Sequence, residues 1–211
     1  MSVVGYYPIA LDLRGRRALV VGGGGVAERK LDGLLAAGAR VTLVAPRLTR
    51  RLATLARAGR VEHVARRYAA GDLDGHALVL VAVGDAAVSR TVAEEARARG
   101  VWVNVADAPD RCDFILPSVL RRGELVVAVS TGGASPALAR AVRERLETVI
   151  TAEYAALAAL VAGVRRELRD GGLAPAADAW ARALDDELRR LVAEGRVGEA
   201  RGRLLERLGA A

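Results

Sequence analysis

Val20-Val21-Gly22-Gly23-Gly24-Gly25-Val26-Ala27-Glu28-Arg29-Lys30 is the stretch on which the rest of the chain is read. Ahead of it, residues 17–21 form a short apolar run of strand length. Behind it, residues 26–37 are good helix formers, and Gly38 supplies a stop signal. Gly22, Gly24 and Ala27 fit the spacing G-x-G-x-x-A between a strand and a helix, the context that gives this fingerprint meaning. The first glycine allows the tight turn, and the second lets a pyrophosphate approach the backbone. The small Ala27 lets the helix close on the strand, and the helix N-terminus favours the anion. An ordinary glycine turn is the plainer alternative, and the strand-turn-helix setting weighs against it.

Working outward, residues 40–44 are a β-branched run closed by Ala45-Pro46, followed by a helical stretch over 48–58 and a short strand over 61–64. Residues 78–83 are unbroken apolar, as expected of a strand covered on both faces. A helix over 86–99 and a strand over 101–105 follow. Strands alternating with helices at this spacing predict an α/β fold with a parallel, doubly wound Rossmann-type sheet. After Ala106 the rhythm changes. Residues 114–116 and 125–129 read as two strands with no helix between them, and Ser135-Pro136 is a good N-cap with proline at the first helical position. Tyr154, Leu157, Val161, Val164 and Leu168 recur at three and four, on one helix face. Asp170-Gly171-Gly172 breaks that helix, and Trp180, Leu184, Leu188 and Leu191 form the stripe of one more. Three parts are expected: a dinucleotide-binding domain over 1–112, a β-plus-helix segment over 113–150 and a helical domain over 151–211.

Composition narrows the function classes. With 52% hydrophobic residues among 211, the chain can bury a real core, and 3% aromatics favour helix-on-sheet packing. The net charge is +7, with Lys30 the only lysine among 32 basic residues, a bias toward arginine that reads as a coding trait. The basic residues are interleaved with acids and no aromatic stacking motif accompanies them, so no nucleic-acid partner is expected. No apolar run is long enough to span a bilayer, so no membrane partner is expected. The N-terminal residues lack the signal-peptide pattern, and a cytoplasmic location follows as an expectation. His63 and His76 have no second ligand at metal spacing, and Cys112 reads as a small buried filler, so no metal site is expected.

Three further stretches carry chemistry. About twenty residues beyond the glycines, a dinucleotide site that prefers NAD carries an acid for the ribose hydroxyl. Here Ala45-Pro46-Arg47 stands instead, and Arg47, Arg50 and Arg51 either read a 2′-phosphate or solvate a helix start. NAD against NADP stays open. Gly84-Asp85, after the fourth strand, lines the cofactor cleft or caps the next helix. Asn104-Val105-Ala106-Asp107-Ala108-Pro109 ends the fifth strand, at the sheet edge where ligands bind. A carboxylate there can accept a proton beside a nicotinamide ring; an Asp before Ala-Pro also forms turns.

Taken in series, Tyr7-Pro8-Ile9, Leu11-Asp12-Leu13, VVGGGGVAERK at 20–30, LLAAGARVTLVAP at 34–46, NVADAP at 104–109, FILPS at 114–118 and VAVSTGGASPALAR at 127–140 resemble the precorrin-2 dehydrogenase family. That family includes the N-terminal half of siroheme synthase. The resemblance covers about residues 6–150. It implies NAD-dependent oxidation of the polyanionic tetrapyrrole precorrin-2 to sirohydrochlorin by a homodimer, with ferrous iron insertion in some members. It implies that Asp107 is the essential aspartate. Gly22, Gly23, Gly24, Gly25 and Val26, together with Ala45, Pro46, Arg47, Gly84 and Asp85, are expected to hold the cofactor. Asn104 and the loop residues Ser130, Thr131, Gly132, Gly133 and Ser135 are expected to meet the substrate. The sequence holds no methyltransferase half, so another protein is expected to methylate the precursor. A non-catalytic, nucleotide-sensing Rossmann module is the competing class. It usually keeps the acid missing at Arg47 and gives no reason for the motifs after residue 104.

Overall fold

The computed structural model describes residues 5–210. Strands β1 (Arg17–Val21), β2 (Arg40–Val44), β3 (Glu62–Val64), β4 (Leu78–Val81) and β5 (Trp102–Val105) form a parallel sheet in the order β3-β2-β1-β4-β5. Helices α1 (Gly25–Ala36), α2 (Arg50–Arg57) and α3 (Ala86–Ala98) connect them. Successive strand residues face opposite sides. Ala18, Val20, Leu43 and Leu80 therefore pack with Ala27 and Leu31 of α1 and Leu52 of α2. Leu19, Val21, Val79 and Val103 pack with Val92 and Ala96 of α3. A fully buried leucine of this kind contributes about 1.5–3 kcal/mol. The strand order reverses between β1 and β4, and this switch point is where an open α/β sheet leaves a crevice at its carboxyl edge. The doubly wound Rossmann-type fold read from the sequence is the fold observed.

Strand β4 stops short of the predicted 78–83 run. Ala82 N still donates to Val21 O at 2.7 Å, but Val83 and Gly84 leave the ladder and turn toward the crevice. β5 is a sheet edge, and the chain after it folds back to cover that edge. Asp113 Oδ2 accepts from Val103 N at 2.9 Å, and Asp113 N donates to Val103 O at 2.8 Å.

The chain divides into two compact units, Met1–Leu116 and Pro117–Ala211. In the second, β6 (Ser118–Arg122) and β7 (Leu125–Val129) form an antiparallel hairpin, with Gly123 at φ 58° in its turn. The strand expected over 114–116 is absent. Phe114 packs on the sheet core and its carbonyl accepts from Asn104 Nδ2 at 2.9 Å, and Pro117 has no N–H for a ladder. Helix α4 (Pro136–Glu147) starts at the predicted cap, where Ser135 Oγ accepts from Leu138 N at 3.2 Å. Helix α5 (Glu153–Asp170) ends at Gly171, as its break signal predicts. The single helix expected from Trp180 through Leu191 is instead α6 (Ala177–Ala183) and α7 (Asp186–Ala193). The Asp185 carboxylate accepts from Leu188 N at 2.9 Å and starts a new helix there. With α8 (Val197–Arg207), these helices bury Leu160, Val164, Leu168, Leu188 and Leu204. Among the described residues no helix is long and apolar enough to cross a membrane.

Candidate active site

A cleft of about 550 Å³ opens at the switch point, walled by the turns after β1, β2 and β4. Every residue expected to hold the cofactor lines it except Gly25 and Val26, which form the first turn of α1. The glycines divide by role. Gly22 has φ 125°, a conformation that side chains rarely adopt, and a Cβ there would overlap the Ala82 carbonyl. A Cβ on Gly23 would overlap the Arg47 carbonyl. Those two are required by the protein's own packing. A Cβ on Gly24 would meet nothing within 4 Å, and Gly24 lines the cleft at the N-terminus of α1 with no side-chain cap on the helix's first N–H groups. An anionic pyrophosphate fits there. Gly24→Ala is therefore expected to melt within a few degrees of wild type while weakening dinucleotide affinity about tenfold, as isothermal calorimetry would show. An unchanged affinity would place the pyrophosphate elsewhere.

Both readings of Asp85 hold together: it lines the cleft, and it caps α3 by accepting from Ala87 N at 2.9 Å and Val88 N at 3.2 Å. Of the three arginines after β2, only Arg47 lines the cleft, and Arg51 is paired with Asp32 at 2.6 Å. Sequence reasoning missed Thr49, Arg67 and Tyr68. Thr49 N donates to Gly23 O at 2.9 Å and pins the glycine turn. Tyr68 donates to Glu95 Oε2 at 2.5 Å, and its burial, then that bond, push the phenol well above its ordinary range. A tyrosine in so aromatic-poor a chain was the available signal. His63 Nε2 meets Ala45 O at 2.9 Å, so it braces the cleft wall. His76 is buried at the other side of the sheet core, near Thr42 Oγ1 at 3.4 Å. Among the described residues no three His, Cys, Asp or Glu side chains gather to hold a metal.

Asp107 follows β5 at the same carboxyl edge. It is exposed, and its φ of 58° makes it the one non-glycine residue in the left-handed region among those described. Asp tolerates that region better than most residues, but strain of about 1–3 kcal/mol persists only where the surroundings hold it. They do: Cys112 Sγ accepts from Val105 N at 3.1 Å and lies 3.3 Å from the Val105 and Ala108 carbonyls, closing the turn around Asp107. Cys112 is half-buried and bonded, more than a filler. Asn104, expected to meet substrate, is 5% exposed; Oδ1 accepts from Lys30 Nζ at 2.5 Å, and Nδ2 donates to Phe114 O. Its polar atoms are engaged within the protein, so its part is to hold the strand end.

The loop of the second unit is self-closed. Thr131 Oγ1 accepts from Ser135 N at 2.9 Å, and Ser130 Oγ accepts from Gly132 N at 3.1 Å, with Gly132 and Gly133 both at positive φ. This fixes the turn that leads into α4.

An open parallel sheet with a glycine-walled cleft at its switch point is the arrangement of a dinucleotide-binding protein. Comparison with known proteins gives the family. Residues 9–118 match the family described as putative NAD(P)-binding, and residues 122–148 match the central segment of sirohaem biosynthesis proteins. The chain belongs to the putative NAD(P)-binding family, and the resemblance read from its motifs is borne out. Siroheme synthase of Methylococcus capsulatus is 43% identical over 208 residues, covering 98% of this chain and 44% of that protein. Siroheme synthase of Methylobacillus flagellatus is 49% identical over 162 residues, covering 77% of this chain and 35% of that protein. The chain thus spans less than half the length of these curated relatives. A solved structure titled SirC, precorrin-2 dehydrogenase, is similar at TM-score 0.78 and 27% identity, over 95% of this chain and all of that one.

Proposed function

We propose that this chain oxidises precorrin-2 to sirohydrochlorin with NAD⁺, and that it does so in the cytoplasm as a homodimer. The observation that carries the reading is Asp107, held in a strained turn at the carboxyl edge of a sheet whose adjacent crevice is shaped for a dinucleotide. The nicotinamide, when bound, supplies the acceptor for the two electrons. The chain's own residues do the rest. The backbone of Gly24 and the first turn of α1 hold the pyrophosphate, Ala45, Pro46 and Arg47 border the adenosine end, and Gly84 and Asp85 border the switch point. Asp107 takes the proton that leaves the tetrapyrrole as it is oxidised. The substrate carries many carboxylates, which suits a chain of net charge +7. Ser130, Thr131, Gly132, Gly133 and Ser135 are proposed to face it. The test is anaerobic incubation with fresh precorrin-2 and NAD⁺ or NADP⁺. Dinucleotide-dependent formation of sirohydrochlorin is expected; its absence with both cofactors overturns the reading. Adding ferrous ion to the finished reaction then reads out whether iron enters the product.

Cofactor choice turns on Arg47, an exposed cation at the cleft where an acid would favour NAD. Arg47→Glu is expected to weaken NADP⁺ use more than NAD⁺ use, by about 1–3 kcal/mol for a charge-assisted contact. Equal losses would mean that Arg47 does not read the 2′ position. The dimer rests on the second unit. The outer face of its hairpin carries Val119 and Val126, and α4 presents Leu138 and Val142 one turn apart, with Leu138 55% exposed. Sedimentation at micromolar concentration is expected to give twice the monomer mass. A stable monomer would contradict the dimer.

A further inference from the structure

Lys30 stands apart in a chain whose other cations are all arginine. It lies on the second turn of α1, half-buried, and its Nζ crosses to β5 to donate to Asn104 Oδ1 at 2.5 Å. Asn104 in turn holds the Phe114 carbonyl at 2.9 Å and approaches Cys112 Sγ at 3.6 Å. Cys112 closes the turn whose apex is Asp107. Lys30 therefore sits at the root of the structure that presents Asp107. Burial pushes its ammonium below the usual lysine range; the Asp107 carboxylate opposes that shift, and Arg29 adds to it. Taking a cation partly out of water is costly, and an amide such as Asn104 could be held by an uncharged donor. The ammonium has three donors, and Asn104 engages one of them. An ammonium is a compact point charge, and the contacts through Asn104 and Cys112 place it in the same strand-end cluster as the Asp107 turn.

We propose that Lys30 is a positioning residue for the Asp107 base: through Asn104 it fixes the end of β5, and its charge holds the Asp107 carboxylate in its working place. This rests on Asp107 being the base proposed above.

The experiment is a double-mutant cycle on precorrin-2 oxidation, with wild type, Lys30→Met, Asp107→Asn and the double variant. Lys30→Met is expected to keep dinucleotide affinity within twofold, lower kcat about tenfold or more and leave KM for precorrin-2 within twofold. In the Asp107→Asn background it is expected to cost nothing further. Lys30→Arg is expected to recover part of the lost kcat because it keeps the charge. Should Lys30→Met not fold, Lys30→Gln, which retains a donor for Asn104 without the charge, takes its place with the same expectations. A rise in KM with kcat unchanged would show that Lys30 holds a substrate carboxylate, and would overturn the proposal. So would additive losses in a slow Asp107→Asn background, which leave the base assignment standing. Asp107→Asn at the wild-type rate would remove the base assignment itself and this proposal with it.

Discussion

Asp107→Asn is expected to fold and bind dinucleotide as wild type does, yet to oxidise precorrin-2 about a hundredfold more slowly, or slower still, the scale of losing a positioned general base. The substitution isolates the proton role. Asn has the size of Asp and shares its tolerance of the left-handed backbone, so the φ of 58° is kept. The side chain is exposed, so losing its charge leaves no buried group without a partner. The pyrophosphate is proposed to rest on backbone groups at the far side of the switch point, so affinity for the cofactor is expected to be unchanged. Asp107→Ala is a poorer test, since the left-handed conformation costs alanine about 1–2 kcal/mol. Single-turnover rates and calorimetric affinities on the Asn variant check the expectation. A rate near wild type would make Asp107 a turn-former.

Gly22→Ala is expected to be the most destabilising single change in the cleft. Its φ of 125° lies in a region that side chains rarely adopt, and the new Cβ would stand against the Ala82 carbonyl, backbone anchored to Val21 by a 2.7 Å hydrogen bond. Backbone strain of about 1–3 kcal/mol adds to overpacking of about 1–3 kcal/mol. Against a typical stability of about 5–15 kcal/mol, that is a large fraction. Urea unfolding is expected to show a midpoint shifted far below wild type, with dinucleotide binding lost in the protein that remains folded. A shift no larger than that of Gly24→Ala would mean that the turn yields easily.

The dinucleotide-binding half was legible because its signals are local. The strand runs at 17–21 and 40–44 are short, apolar and bounded by glycine or proline, and the helices between them carry their own stop signals. What was missed depended on tertiary partners. β6 was hidden because a two-stranded hairpin leaves alternate positions exposed, which admits Arg121, while Arg122 on the other face is accommodated by donating to the Ile150 carbonyl at 2.9 Å. The break at Asp185 was hidden because the apolar spacing from Trp180 to Leu191 continues across it. At the site, the glycines declared themselves through spacing, whereas Asp107 stood out from a turn-former only through the resemblance carried by the motifs in series. Asn104 looked like a ligand-binding residue because nothing local revealed that its amide is engaged by Lys30 and Phe114. Lys30 itself was the informative exception to the arginine bias, and only its contact with Asn104 gives that exception a meaning.

The central claim is that this chain couples oxidation of precorrin-2 to reduction of a dinucleotide through Asp107. It is tested most directly by anaerobic stoichiometry, with reduced nicotinamide and sirohydrochlorin followed together by absorbance for wild type and Asp107→Asn. One reduced dinucleotide per sirohydrochlorin from the wild type, and a slow reaction of the same ratio from the variant, is the predicted result. Sirohydrochlorin appearing without reduced dinucleotide, or at equal rates from both proteins, would contradict it.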